Sequence, residues 1–299
     1  MVRNRLTRFD VLALAAAVGV AILLAAPMAG NARQQGKAAV CLMNQRILSQ
    51  AWLQYPEDHE GRLVGGSTYY SGSRRTPYRW VEQPLFRPTD NPAPPPDGRN
   101  DAVPAVGDYN RQYRLNGIVA GELFPYVENT AVYHCPGDRT CVTRPEPYAA
   151  YRSYTVSGLM NGEDFVQRTG WPGAITGYRT VGFPDGNKTL VCVERLEQVR
   201  RPDRKYVFVE EDVGAMAQAE NLGSFVLMGN GSSTSWWDWP AGFHPESATF
   251  GFADGHAYLR TWRDVRTVSL ITGQLPISQN QPANPDLEWM VRGYVSAEP

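Results

Sequence analysis

The N-terminal region contains the feature that most constrains the fold of this chain. Val11 to Ala32 is an uncharged stretch of about 22 residues, long enough to cross a ~30 Å hydrocarbon layer as one helix. From Arg33 to Tyr55 apolar residues recur at three- and four-residue spacing, which predicts an amphipathic helix that continues the first. Pro56 is expected to end it. The combined rod would be roughly 65 Å long at ~1.5 Å per residue, with half in lipid and half supporting a domain.

Basic residues before the apolar stretch set the expected orientation. Arg3, Arg5 and Arg8 are opposed only by Asp10, so the N-terminus is expected to stay in the cytoplasm. The alternative is a secretory signal cleaved near Ala32, but the apolar run exceeds the usual ~7 to 15 residues. The predicted organisation is a single-pass inner-membrane protein with four segments: a basic cytoplasmic leader (1–10), a transmembrane helix (11–32), an amphipathic continuation (33–56) and an extracytoplasmic domain (57–299).

Composition and local patterns predict an α+β domain with large loops. The net charge of -1 offers no basic surplus for a nucleic-acid partner. The 23 prolines and 28 glycines indicate strands joined by loops, two of them at 87–108 and 229–242. The best hairpin signal is Asp254-Gly255 between two alternating runs. Other predicted strands have β-branched and aromatic content. They are Tyr151–Ser157, Thr189–Glu194 and Lys205–Val209.

Four cysteines leave the disulfide connectivity open. Cys135 and Cys141 are close enough in sequence to form a local disulfide if the domain lies outside the cytoplasm. Cys41 and Cys192 could then pair or stay free. The sequence does not decide among the three connectivities of four cysteines.

The N-terminal segment resembles that of type IV pilin-like proteins, which include the pseudopilins of type II secretion. The resemblance is carried by LTRFDVLALAAAVGVAILLAAPMAGNARQQGKAAVCLMNQRILSQAWLQY. When Pro27 is aligned with the proline of the pilin helix, Asp10 falls at the fifth mature position, where the family has Glu. Arg5 stands where the prepilin peptidase expects Gly, so both a cleaved and an uncleaved leader remain open.

Two further motifs resemble the same family. Ala131 to Asp138 is similar to a family segment in which a strand ends in a Cys-Pro-X-Asp turn, here Cys135, Pro136 and Asp138. His244, nine residues and Asp254-Gly255 resemble the processing-associated C-terminal region of pilin-like proteins in planctomycete-type bacteria. The resemblance implies a long N-terminal helix packed on an antiparallel sheet.

The resemblance also implies a structural, non-enzymatic function. It suggests a subunit of a type II secretion pseudopilus or a type IV pilus-like filament, whose partners are the inner membrane and other pilin-like subunits. It implies no cofactor and no small-molecule substrate, and it leaves calcium near the C-terminal loops open. No catalytic or cofactor-binding residue is predicted.

Two alternative functions rest on particular side chains. A membrane-anchored binding protein would use Trp236, Trp237 and Trp239 to hold a glycan or a protein ligand. An exported metal-dependent hydrolase would use His244, Asp254 and His256, weak candidates because strand geometry separates the first two by up to roughly 30 Å. The carboxylates that follow Val209, at 210–212, are interpreted as a solvated strand end.

Overall fold

The computed structural model of the chain is a mixed α+β structure whose main sheet is covered on both faces. Its described residues are 8–66, 68, 70–71, 74–75, 78–82, 111–139, 151–161, 178–212, 223–229 and 231–294, with side chains omitted at 8–31, 70–71, 74–75 and 178–179. Asp10 and Pro27 therefore have a described backbone only. The predicted loop 87–108, Cys141 and the first seven leader residues lie outside the described residues.

Five α-helices and three short 3-10 helices are present in the described part of the chain. The α-helices are α1 (Arg8–Asp58), α2 (Arg111–Val119), α3 (Phe124–Val127), α4 (Val265–Ile271) and α5 (Pro285–Tyr294). The 3-10 helices are Thr130–Tyr133, Leu196–Gln198 and Pro202–Arg204. In the part of the chain with described side chains, no helix is both long and apolar enough to cross a membrane.

The strands form one five-stranded sheet and two hairpins. They are β1 (Tyr70–Ser71), β2 (Arg74–Arg75), β3 (Tyr154–Ser157), β4 (Tyr178–Phe183), β5 (Gly186–Val191), β6 (Tyr206–Glu210), β7 (Ser224–Phe225), β8 (Ser247–Phe252) and β9 (Ala257–Thr261). The main sheet has the order β7-β3-β6-β8-β9, and all its pairs are antiparallel except β3 with β7. The predicted α+β class is confirmed, with this one parallel pair as a departure from the antiparallel prediction.

The hairpin of β8 and β9 forms where the sequence predicts it. Ala248 pairs with Arg260 and Phe250 with Tyr258 across the ladder. Gly255 lies in the connecting turn with φ +88°, a backbone conformation that residues with a Cβ rarely adopt. All six residues of β8 are buried, as expected for a strand covered on both faces.

Two apolar layers cover the main sheet. One contains the outer part of α1 with Trp80, Tyr133 and Phe208. The other contains Tyr206 and Phe250 with residues of α4 and α5. Tyr206 and Phe208 belong to different layers because the β6–β8 register shifts between them.

The buried face of α1 is partly polar. Its apolar residues are Cys41, Leu48, Ala51, Trp52 and Tyr55, and its polar residues are Asn44, Gln45 and Ser49. The Nε2 of Gln45 donates to the backbone oxygen of Thr249 on β8 at 3.0 Å. By contrast, Val40 and Met43 are 49% and 57% exposed, so these two apolar residues do not belong to the core. The side chains of 41–55 therefore hold α1 in a fixed register on the sheet.

Two local predictions are wrong. The strand that the resemblance implies at the start of Ala131 to Asp138 is instead a 3-10 helix, Thr130–Tyr133, which the Asn129 side chain caps by accepting the N–H of Ala131. Helix α1 does not end at Pro56 but at Asp58. The oxygen of Pro56 accepts the N–H of Gly61 at 2.8 Å, so the residues after the proline complete a final turn.

Candidate functional site

Four potential metal-ligating side chains meet in the interior, at the edge between α1 and the main sheet. They are Cys41, Cys135, Glu210 and His244. Their sulfur, carboxylate oxygen and imidazole nitrogen atoms all lie within 4.8 Å of one another. The two cysteines and the glutamate are fully buried, and His244 is 2% exposed. This cluster joins four separate segments of the chain at a single point.

The two cysteines are positioned by different local structures. Cys41 lies on the buried face of α1. Cys135 opens a turn that is closed by a hydrogen bond from the N–H of Asp138 to the oxygen of Cys135, 3.0 Å. The N–H of Cys135 donates to Ser153 Oγ at 3.0 Å, and that hydroxyl donates to Asp138 Oδ2 at 2.7 Å. The turn predicted at Cys135, Pro136 and Asp138 is therefore present and fastened to the start of β3.

Glu210 and His244 approach the cysteines from the sheet. Glu210 is the last residue of β6, and its Oε2 accepts the N–H of Thr249 at 2.8 Å. Its Oε1 lies 3.3 Å from His244 Nε2. His244 precedes β8 and exchanges two backbone hydrogen bonds with Ser247. The Nδ1 of His244 has no hydrogen-bond partner among the described residues, so the ring is oriented by the contacts of its Nε2.

The sulfur atoms are in close contact with each other and with polar groups. Cys41 Sγ lies 2.7 Å from Cys135 Sγ. Cys135 Sγ lies 3.5 Å from His244 Nε2 and accepts the N–H of Gly137 at 3.2 Å. A Cβ at Gly137 would lie 2.7 Å from the backbone oxygen of Phe243. Any residue other than glycine would therefore force the turn away from Phe243.

Burial and hydrogen bonding perturb the pKa values of the cluster in opposite directions. A hydrogen bond from Cys135 lowers the pKa of the Cys41 thiol to about 7, against the opposing effect of burial. Burial raises the pKa of the Cys135 thiol well above its ordinary range. Burial lowers the pKa of His244, but hydrogen bonds with Cys41 and Glu210 outweigh it and raise the pKa to about 9. The lowered pKa of Cys41 and the raised pKa of His244 favour a thiolate close to a protonated imidazole.

The structure does not bring together the metal candidates that the sequence suggests. Asp254 and His256 bond to each other in the exposed turn between β8 and β9, with Asp254 Oδ1 2.5 Å from His256 Nδ1. His244 lies before the other end of β8, a strand of roughly 20 Å at ~3.4 Å per residue. No observation therefore favours a hydrolase that uses this triplet.

The tryptophan loop is attached to the domain rather than displayed. Trp236 is fully buried and makes an edge contact with Trp262, ring centroids 5.9 Å apart. The ring of Trp237 packs directly on Gly229, and Trp239 is half-buried against the second apolar layer. Trp236 and Trp239 thus anchor the loop to the core, and Trp237 packs within the loop, so the three tryptophans do not form an exposed binding platform.

The cysteine contacts differ from the local pairing suggested by sequence. Cys41, Cys135 and Cys192 form no disulfide bond. The predicted Cys135–Cys141 disulfide includes a residue outside the described part of the chain. Among the described cysteines the sulfur near Cys135 is that of Cys41, which is 94 residues away in sequence.

Sequence reasoning did not identify Glu210 as a site residue. A run of three carboxylates after a strand is typical of a solvated end, yet Glu210 and Glu211 are buried. Strand β6 continues one residue beyond the predicted Val209 and includes Glu210, whose side chain is therefore buried.

Comparison with protein-family models, with curated proteins and with solved structures finds no match to this chain.

Proposed function

We propose that this protein is a non-enzymatic, pilin-like structural protein of the inner membrane. In this proposal residues 11–32 cross the membrane, the N-terminus lies in the cytoplasm, and the domain from residue 57 lies in the periplasm or outside the cell. The protein would be a subunit of a type II secretion pseudopilus or a type IV pilus-like filament, with a long helix, half in the membrane and half on the sheet, as its spine.

The course of α1 is the observation that carries this proposal. The helix packs on the sheet from Cys41 to Tyr55, whereas side chains 32–36 are exposed. Helix α1 thus leaves the domain toward its N-terminus, in the direction of the uncharged stretch Val11 to Ala32. A helix that extends beyond its domain and becomes apolar is suited to insertion in a bilayer and to packing with other helices.

The exposed residues of α1 also support contacts with other subunits. Val40 and Met43 are apolar side chains on α1 that are about half exposed. They lie about two to three helical turns beyond Ala32, past the mostly polar residues Arg33 to Lys37. In a filament these side chains would pack against the same helix of neighbouring subunits.

The state of the mature N-terminus tests the anchoring. The chain is expressed in a bacterium that contains a prepilin peptidase, the membrane fraction is isolated, and the intact mass is measured. Cleavage after Arg5 with methylation of the new N-terminus supports the filament subunit. Cleavage near Ala32 with release of the domain overturns the proposal, because the apolar stretch would then be a secretory signal.

Cross-linking tests the subunit contact. Val40→Cys and Met43→Cys are expected to form disulfide-linked dimers in oxidised membranes if neighbouring α1 helices meet there. Lys188→Cys, whose side chain is 50% exposed on the β4–β5 hairpin, is the matched control and is expected to remain monomeric. An intact Met1 end together with equal cross-linking of all three variants would indicate a monomeric anchor and overturn the filament assignment.

A further inference from the structure

The cluster of Cys41, Cys135, Glu210 and His244 has the composition of a metal site. Thiolate, imidazole and carboxylate are the three ligand types that zinc takes in proteins. Each residue offers one ligand atom toward the same point, and the four come from α1, the Cys135 turn, β6 and the segment before β8. Chance proximity of surface acids does not account for it, because all four are buried.

Two of the separations among the four ligand atoms match those around a tetrahedral zinc ion. Ligand atoms ~2.0 to 2.3 Å from zinc lie roughly 3.3 to 3.8 Å from one another in a tetrahedron. The separation of His244 Nε2 from Glu210 Oε1 is 3.3 Å, and from Cys135 Sγ it is 3.5 Å. The Sγ atoms of Cys41 and Cys135, 2.7 Å apart, must separate by about 1 Å before both can bind the same zinc ion.

Hydrogen bonds from neighbouring backbone N–H groups hold two of the four candidate ligands, Cys135 and Glu210, in place. The N–H of Gly137 points at Cys135 Sγ, and backbone N–H groups of this kind stabilise a thiolate. Thr249 N–H holds the second oxygen of Glu210 and leaves the first directed at His244. These partners orient the ligands before any ion is bound.

The geometry points to a structural zinc site, formed by Cys41, Cys135, Glu210 and His244, that fastens α1 to the main sheet. Four protein ligands close the coordination sphere of a tetrahedral ion, and burial excludes water, so the site has no open position for catalysis. Two thiolates, one carboxylate and a neutral imidazole around Zn²⁺ leave a net charge of -1, smaller than the -3 of the deprotonated ligands. This inference does not depend on the proposed function, since it concerns the domain and not the N-terminus.

Metal analysis of the purified full-length chain tests the site. Wild-type protein, reduced and prepared without chelator, is expected to hold about one equivalent of Zn²⁺ and to give a sulfur-to-metal charge-transfer band when loaded with Co²⁺. The variant Cys135→Ser should lose the band and bind Zn²⁺ at least about tenfold more weakly, since losing a ligand costs more than losing an outer-shell partner. Cys192→Ser, a buried cysteine outside the cluster, is the matched control and should bind as wild type.

A second variant keeps the test valid if Cys135→Ser does not fold. Glu210→Gln retains a side-chain oxygen for Thr249 N–H and removes the anionic ligand, so it should fold yet bind Zn²⁺ at least about tenfold more weakly. Three results would overturn the inference: no charge-transfer band in reduced wild-type protein, wild-type affinity in both variants, or natively purified protein that contains a Cys41–Cys135 disulfide and no metal. None of these results bears on the mass of the mature N-terminus.

Discussion

Gly251 of β8 lies directly against Ser49 of α1. A Cβ at Gly251 would meet Ser49 Oγ and would also come within 2.9 Å of the backbone oxygen of Gln45. The helix therefore approaches the strand at a point where no side chain separates them. This close approach is what allows the Gln45 side chain to reach the backbone oxygen of Thr249.

The first prediction concerns this contact. Gly251→Ala should destabilise the folded protein by about 1 to 3 kcal/mol, because the added methyl group forces α1 away from β8. Thermal unfolding followed by circular dichroism measures the change. Gly36→Ala, on the same helix with nothing within 4 Å of the added Cβ, should be neutral or stabilising by up to about 1 kcal/mol. Equal effects of the two substitutions would contradict the close approach.

The second prediction concerns the buried carboxylate of Asp286 in α5. It accepts hydrogen bonds from Arg260 at 2.8 Å and from the backbone N–H groups of Arg263 and Asp264 at 2.7 and 2.8 Å. Asp286→Ala should cost about 3 to 5 kcal/mol, because it leaves a largely buried guanidinium without its partner. Denaturant unfolding provides the measurement.

The matched control for Asp286 is an ion pair on the same helix that faces solvent. Glu288 and Arg292 are 56% and 73% exposed, so Glu288→Gln should change the stability by no more than about 0.5 kcal/mol. A loss of similar size in both variants would mean that the position of Asp286 in the interior has no energetic consequence.

The third prediction concerns the tryptophan loop. Trp236→Ala should destabilise the protein by about 3 to 5 kcal/mol, because Trp236 is fully buried against Trp262. Val265→Ala, at a position 75% exposed, should stay within about 0.5 kcal/mol of wild type. Unchanged stability of Trp236→Ala in calorimetry would instead indicate a displayed side chain and would revive the binding-loop hypothesis.

The fourth prediction is a pH dependence at Asp264, the N-cap of α4. A hydrogen bond from Arg266 lowers the pKa of Asp264 below its ordinary value. A lowered folded-state pKa adds stability above the unfolded pKa of about 3.9, and this contribution disappears as the pH falls through the folded pKa. Asp264→Asn retains a capping oxygen, so it should be less stable than wild type by about 0.5 to 1 kcal/mol at neutral pH.

Unfolding at a series of pH values checks this dependence. The difference between wild type and Asp264→Asn should be constant above about pH 5 and shrink as the pH falls below about 4. Asp203→Asn, whose pair with Arg204 is more than half exposed, serves as the comparison and should show a smaller difference at neutral pH. A difference that grows toward low pH would contradict the assigned charge interaction.

The sequence predicts those elements whose signals are local. Alternation around Asp254-Gly255 is sufficient for the hairpin, since the turn and both strands occupy adjacent residues. The 3-10 helix at Thr130–Tyr133 was missed because a single side-chain cap at Asn129 outweighs β propensity over so short a segment. Where a single hydrogen bond decides the type or the end of a short element, sequence patterns do not predict it.

The buried polar residues of α1 and of the candidate site cannot be identified from the sequence for a different reason. Gln45 and Ser49 resemble solvent-facing helix residues, yet both are buried where α1 meets β8. The Gln45 side chain donates to the backbone oxygen of Thr249, and Ser49 lies against Gly251. Glu210 likewise resembles a surface acid until strand β6 is placed beside His244. Their roles depend on which distant segments meet, and no local period carries that information.

The hydrogen bond between Gln45 and Thr249 joins residues 204 positions apart. At ~5 to 20 residues per second, a ribosome needs roughly 10 to 40 s to make the chain between them. Throughout that interval the face of α1 that carries Leu48 and Trp52 has no β8 strand to pack on. The order of synthesis therefore lets the N-terminal helix reach its final position only after the β8–β9 hairpin has been made.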